Sequence, residues 1–250
     1  MSLKVKSMLI TGTNRGIGLE FVRQIVKLPH PPKWLFATCR NPDQAKELQE
    51  VAALNSNVKI MKFEVTDGDG IKALVREVEK EVGEEGLNLL INGAAVLHRV
   101  NLEDVNEEVM VNSFNVNCVA PLLLSKAFLP LLKKAVKKSP VEGLSCDKAA
   151  IINLTSKMGS IGDNTSGGHY AYRASKAALN MISRSLSVDL KPEGILALAI
   201  HPGWVRTDMG GPRGLLGVNE SVDSMIKVMG SLNEEKAGTF LNYNGAPIEW

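Results

Sequence analysis

Residues 7–26 read SMLITGTNRGIGLEFVRQIV, and the order of residue types in that stretch decides the fold. Residues 7–10 form a short apolar run, the pattern of a strand covered on both faces. The run passes directly into Gly12, Gly16 and Gly18, and then into an apolar spacing that is helical over residues 17–27. Glycines are required where the chain turns tightly off a strand and lets a pyrophosphate approach the backbone. The amides and dipole at the following helix N-terminus then stabilise the negative charge. A glycine triplet alone says little. Its place between an N-terminal strand and a helix makes it a dinucleotide cradle, expected to involve Gly12, Asn14, Arg15, Gly16, Ile17 and Gly18.

The same alternation continues outward. Short β-rich runs at residues 34–37, 59–63, 88–91, 150–154 and 196–200 are separated by helical periodicity at 42–53, 71–82, 109–133 and 172–190. Parallel neighbours need a crossover, and the helices that provide it cover both faces. The expected fold class is α/β: a Rossmann-type doubly wound parallel sheet with helices on both faces, forming a single NAD(P)-binding domain over residues 1–250. Two stretches stand apart. Residues 133–148, KKAVKKSPVEGLSCDK, read as a helix end and exposed loop whose basic cluster is a solvated face. Residues 210–217, GGPRGLLG, carry an apolar Leu215–Leu216 pair suited to a mobile flap over a pocket.

Composition bounds the function. The 250 residues are 44% hydrophobic, and 29 basic against 27 acidic residues give a formal net charge of +2. Charges so balanced and dispersed offer no footprint for nucleic acid or a membrane surface. Cys39, Cys118 and Cys146 are too few and scattered for a disulfide framework, which points to a reducing compartment. The N-terminal apolar run is too short for a signal peptide, and no uninterrupted apolar stretch approaches the ~20 residues of a membrane span. A cytoplasmic protein is the resulting expectation. No His, Cys or carboxylate cluster has metal-ligand spacing.

The second strand leads to Arg40, near the place where NAD-binding folds put an acid for the ribose hydroxyls. A cation there instead suits a 2′-phosphate, and Arg15 in the glycine loop can supply another, so NADP(H) is favoured over NAD(H). Further on, YAYRASKAALNMISRSL places Tyr172 and Lys176 four apart on a helix, one turn from each other on the same face. A free tyrosine titrates near pH ~10, and an adjacent ammonium favours its phenolate, so the pair can serve as acid for carbonyl reduction or base for alcohol oxidation. Tyr170 has Ala174 at the same spacing and no lysine partner.

With these motifs in order, the chain resembles the short-chain dehydrogenase/reductases over almost its whole length. The resemblance assigns the family's Tyr-x-x-x-Lys to Tyr172 and Lys176. Its catalytic serine falls on Ser156 in IINLTSKMG, with Thr155 as neighbouring competitor and a Ser-to-Tyr interval longer than usual. Its helical asparagine falls on Asn117, where it would hold a water linking Lys176 to solvent, with Asn112 and Asn115 as alternatives. The turn after the sixth strand, HPGWVRTDM, offers Pro202, Gly203, Val205 and Thr207 for the nicotinamide side. Two departures occur. The Asn-Asn-Ala-Gly turn is here Asn92-Gly93-Ala94-Ala95, and the acid beside the adenine is Glu64, followed by Val65, in place of aspartate.

Within the family, the chain end GTFLNYNGAPIEW and the PLLLSKAFLPLLKKA helix resemble the sniffer-like carbonyl reductases and the C-factor proteins. That likeness implies NADPH-dependent reduction of a small-molecule aldehyde or ketone. Tyr172 would donate the proton, Ser156 orient the oxygen, and Lys176 hold the ribose and support the phenolate. Leu97, Met158, Tyr170, Trp204 and Met209 are the substrate-pocket residues this implies, with His98 beside them; His98 and His201 also read as structural histidines. An NADP(H)-binding signalling protein of low turnover and an NAD-linked alcohol dehydrogenase are the alternative functions. The helices at 121–132 and 172–190 are apolar enough to pair subunits into a homodimer or homotetramer, although burial within one subunit explains the same pattern.

Overall fold

The computed structural model describes residues 3–250; Met1 and Ser2, which begin the N-terminal stretch read above, lie outside it. Seven strands make one parallel sheet: β1 (Ser7–Thr11), β2 (Trp34–Cys39), β3 (Val58–Lys62), β4 (Leu89–Asn92), β5 (Ala150–Leu154), β6 (Leu196–His201) and β7 (Phe240–Asn242). Their spatial order is β3–β2–β1–β4–β5–β6–β7. β1 pairs with both β2 and β4, so the chain winds outward to β3 and then crosses back. The crossing opens a crevice at the C-terminal ends of β1 and β4.

Helices α1 (Gly16–Ile25), α2 (Lys46–Leu54), α3 (Gly68–Val82), α4 (Glu107–Phe114), α5 (Ala120–Lys138), α6 (Tyr170–Leu190) and α7 (Val218–Met229) cover the two faces. Successive strand side chains point to opposite faces. Met8 and Ile10 accordingly pack with Leu19, Val22 and Ile25 of α1 and with Val222 and Met225 of α7. Leu9, between them, packs with Leu74 and Val78 of α3 and Phe128 of α5. On that second face, Ile151 and Ala197 meet Leu132 of α5 and Leu190 of α6.

The helix read from residues 109–133 begins at Glu107 and runs through a π turn at Asn115–Val119 to Lys138. Lys137 and Lys138 extend its last turn, where cations suit the negative end of the helix dipole. By length and composition alone Glu107–Lys138 could cross a membrane, yet 56% of its most apolar window is buried inside the protein. Leu124, Phe128 and Leu131 supply that buried face against the sheet, which makes it a core helix. Two elements lie outside the alternation that the sequence displays. α7 carries a clear apolar stripe but follows a glycine-rich stretch, and β7, at three residues, is too short to display periodicity.

Candidate active site

A cleft of about 480 Å³ opens at the crossing point, and it is lined by the glycine loop, the ends of β2 and β4, Tyr172, Lys176 and the segment after β6. Gly12 and Gly16 have φ of 77° and 56°, the left-handed region that L side chains rarely adopt. A Cβ on Gly18 would lie 2.1 Å from the Gly12 carbonyl oxygen. No side chain caps α1, so its first amides face the cleft without a competing acceptor. The loop is anchored to β2, because Gly12 N and Thr13 N both donate to the Thr38 carbonyl, at 3.1 and 3.0 Å.

Thr11, a residue that sequence reasoning passed over, closes the other wall. Its hydroxyl oxygen accepts from Gly93 N at 3.0 Å and Ala94 N at 3.1 Å. A Cβ on Gly93 would stand 2.9 Å from the Thr11 carbonyl, so the displaced glycine serves close approach. Its φ is not positive. A hydroxyl ending an apolar strand beside the glycine loop was the available signal. The Asn92 side chain does not line the cleft. It is buried and donates to Asn153 Oδ1 at 2.8 Å, while Asn153 donates to Ser183 Oγ at 2.9 Å, tying β4 to β5 and α6.

Asn14, Arg15, Ile17, Arg40, Glu64, Val65, Gly93, Ala94, Pro202 and Thr207 line the cleft as expected. Gly203 and Val205 do not. The missing Gly203 side chain makes room for Leu216 and Tyr243, and buried Val205 bridges to Leu216. Both arginines face carboxylates: Arg40 Nε lies 3.7 Å from Glu64, and Arg15 is 2.8 Å from Asp208. Both pairs are largely exposed, so each is a weak contact that an incoming phosphate can displace.

Tyr172 and Lys176 are only 8% and 2% exposed, and burial governs both. It pushes the Tyr172 phenol up to about 12, with a hydrogen bond from Ser156 acting the other way. It pulls the Lys176 ammonium down to about 8. Its Nζ donates to the Leu154 carbonyl at 2.8 Å and sits 5.9 Å from the Tyr172 ring centroid.

Ser156 lies two residues past the end of β5, beside Tyr172, and its Oγ accepts from Met158 N at 3.1 Å. The competitor Thr155 donates its hydroxyl to Asn180 Oδ1 at 2.6 Å and is committed to α6. Asn117 lies in the π turn with its amide engaged: Nδ2 donates to Val96 O and Ser175 Oγ, and Oδ1 accepts from Val96 N. Its side chain pins the β4–α4 loop. Asn112 and Asn115 are exposed, and Asn112 pairs with His98.

Of the expected substrate residues, Met209 alone lines the cleft. Leu97 and Met158 are half-buried on the adjoining loops, Tyr170 and Trp204 are exposed, and the Trp204 indole donates to Gly210 O at 2.8 Å. His201 is half-buried with its Nδ1 buried and unpartnered, and burial, with the Lys157 and Lys176 charges, holds it neutral down to about pH 4.

The family model described as short chain dehydrogenase matches residues 6–214. The C-signal of Myxococcus xanthus is 42% identical over 165 residues, covering 66% of this chain and 93% of that protein. Among solved structures, the carbonyl reductase Sniffer of D. melanogaster is 43% identical with a TM-score of 0.97, covering 98% of this chain and all of that one. The NADPH-bound carbonyl reductase from chicken fatty liver is 46% identical with a TM-score of 0.95, covering 99% of this chain and all of that one.

Proposed function

The chain belongs to the short-chain dehydrogenase family, and from that premise we propose that it is an NADPH-dependent reductase of aldehydes and ketones. The observation that carries the reading is the burial of Tyr172 and Lys176 in the wall of the cleft that the glycine loop also lines. The residues present suit NADP(H). Gly12, Gly16 and Gly18 leave a cradle that a Cβ would fill, the α1 amides offer donors to a pyrophosphate, and Arg15 and Arg40 offer cations to a 2′-phosphate. When bound, the reduced nicotinamide supplies the hydride. Tyr172, held protonated by burial, donates its phenolic proton to the carbonyl oxygen, and Ser156 hydrogen-bonds that oxygen as negative charge develops on it. Lys176 is the nearby cation that meets the resulting phenolate.

The test is NADPH oxidation over a panel of aldehydes, ketones and quinones. Tyr172→Phe should lose about a hundredfold or more of kcat, in the range general-acid catalysis supplies, with NADPH affinity unchanged. Full reduction by Tyr172→Phe would sink the assignment. A second reading, an NADP(H)-binding signalling protein, draws on the likeness to C-signal, and it requires NADPH binding with no carbonyl in the panel turned over. We also place the enzyme in the cytoplasm, which suits three free buried cysteines. Exposed Val111, Leu122 and Leu123 on α4 and α5, with Met181 and Val188 on α6, are the surface through which a homodimer or homotetramer would form.

A further inference from the structure

Between Ser156 and Tyr172 the chain makes a long excursion with little regular structure, and its last part has an unusual backbone. Gly167, Gly168 and His169 have φ of 62°, 65° and 50°, three left-handed residues in succession immediately before α6. His169 is the single non-glycine residue with positive φ among the described residues. Strain of this kind persists only where the surroundings hold it. The first part of the excursion is well fastened. Met158 N donates to Ser156 Oγ, Lys157 pairs with Asp163 at 3.0 Å, and Gly162 N donates to the Trp250 carbonyl at 3.1 Å.

Beyond the excursion itself, residues 164–169 are anchored by Arg173, the residue after Tyr172. Its Nε donates to the carbonyls of Gly167 and Gly168, each at 3.1 Å. Its Nη2 donates to Ser166 Oγ at 2.8 Å, and its Nη1 reaches back to the Met158 carbonyl at 3.3 Å. A planar guanidinium with five donors in a fixed fork can bind several acceptors at once, which an ammonium on a flexible stem cannot match.

We infer that Arg173 is a positioning residue: its guanidinium locks the 158–168 loop to the first turn of α6 and so holds Ser156 in register with Tyr172. The link to Ser156 is short, because Met158 is bonded through its carbonyl to Arg173 and through its amide to the Ser156 hydroxyl. Arg173 follows Tyr172 directly in α6 while its guanidinium holds the loop, so the proton donor and the hydroxyl that orients the substrate oxygen move as one body. The effect on catalysis rests on the reductase reading; the loop clamp itself does not.

The test compares Arg173→Ala and Arg173→Lys with the wild type in three measurements. In steady-state reduction, kcat and kcat/KM should fall together by about tenfold or more, since orientation acts in the transition state, while KM stays within roughly threefold. NADPH Kd, from fluorescence titration, should be unchanged, because no Arg173 contact reaches the glycine loop. Limited trypsinolysis should cut after Lys157 about tenfold faster or more, as the loop opens locally. A kcat within roughly twofold of wild type, a loss carried in NADPH affinity, or unchanged cleavage at Lys157 each overturns the inference. If Arg173→Ala does not fold, Arg173→Lys decides on the same criteria. A wild type that turns over no carbonyl defeats the reductase reading instead, and cleavage at Lys157 then decides the clamp alone.

Discussion

Burial moves the two titrating groups of the site in opposite senses, and this has a consequence for stability. Lys176 in the folded chain loses its proton near pH 8 against an ordinary value of 10.5. Between those two pH values the unfolded chain holds a proton that the folded chain has released, so this residue makes stability rise with pH across the window. Tyr172 titrates near 12 against 10.0, so above pH 10 the unfolded chain ionises first and stability falls again. Urea unfolding should accordingly show the wild type gaining on Lys176→Met from pH 8 to about 10.5, with no such gain below pH 8. A flat difference across that range contradicts the burial argument. Specificity also belongs to single residues. Arg40→Ala should weaken NADPH binding about tenfold to a hundredfold with little change for NADH, the worth of a charge-assisted phosphate contact. Glu64→Gln, which frees Arg40 of its carboxylate, should tighten NADPH binding slightly, as measured by titration at low salt.

At the scale of elements, the loops carry the site and the strand ends hold them. The β1–α1 turn depends on Gly18, where an added methyl meets the Gly12 carbonyl at 2.1 Å. Gly18→Ala should therefore abolish detectable NADPH binding while leaving a folded, helical protein by circular dichroism. The π turn between α4 and α5 depends on Asn117, whose side chain makes three hydrogen bonds and is fully buried. Asn117→Ala leaves both polar groups of Val96 without those partners and should cost about 1–3 kcal/mol in denaturant unfolding. The glycine loop and the Tyr172–Lys176 pair were legible because each is a local pattern: a turn immediately following a strand, and two residues one helical turn apart. Thr11 and Arg173 were not, since what they do depends on backbone groups far along the chain or at the end of an irregular loop. A threonine at a strand end and an arginine on a helix look alike in any sequence.

For the molecule as a whole, the cleft lies where the β1–β3 half of the sheet meets the half from β4 to β7, so one ligand contacts both. NADPH at a hundred times its Kd should stabilise the fold by about 2.7 kcal/mol. That corresponds to roughly 5–10 °C in Tm for a chain of this size, with a smaller shift from NADH at the same concentration. Equal shifts would remove the cofactor preference. Chain order alone determined the α/β class, the six longer parallel strands, the glycine cradle and the spacing of Tyr172 and Lys176. Each follows from periodicity or from the conformational limits of glycine, which act between neighbours in sequence. The tertiary structure decided which polar side chains reach the cleft and which are consumed beneath it, as Asn92 and Asn117 are. It also decided how firmly Tyr172 holds its proton, because a lysine four residues away says nothing about how deeply both are buried. Hydrogen bonding and desolvation depend on what the rest of the chain brings alongside, and that is settled only when the sheet and its helices have closed.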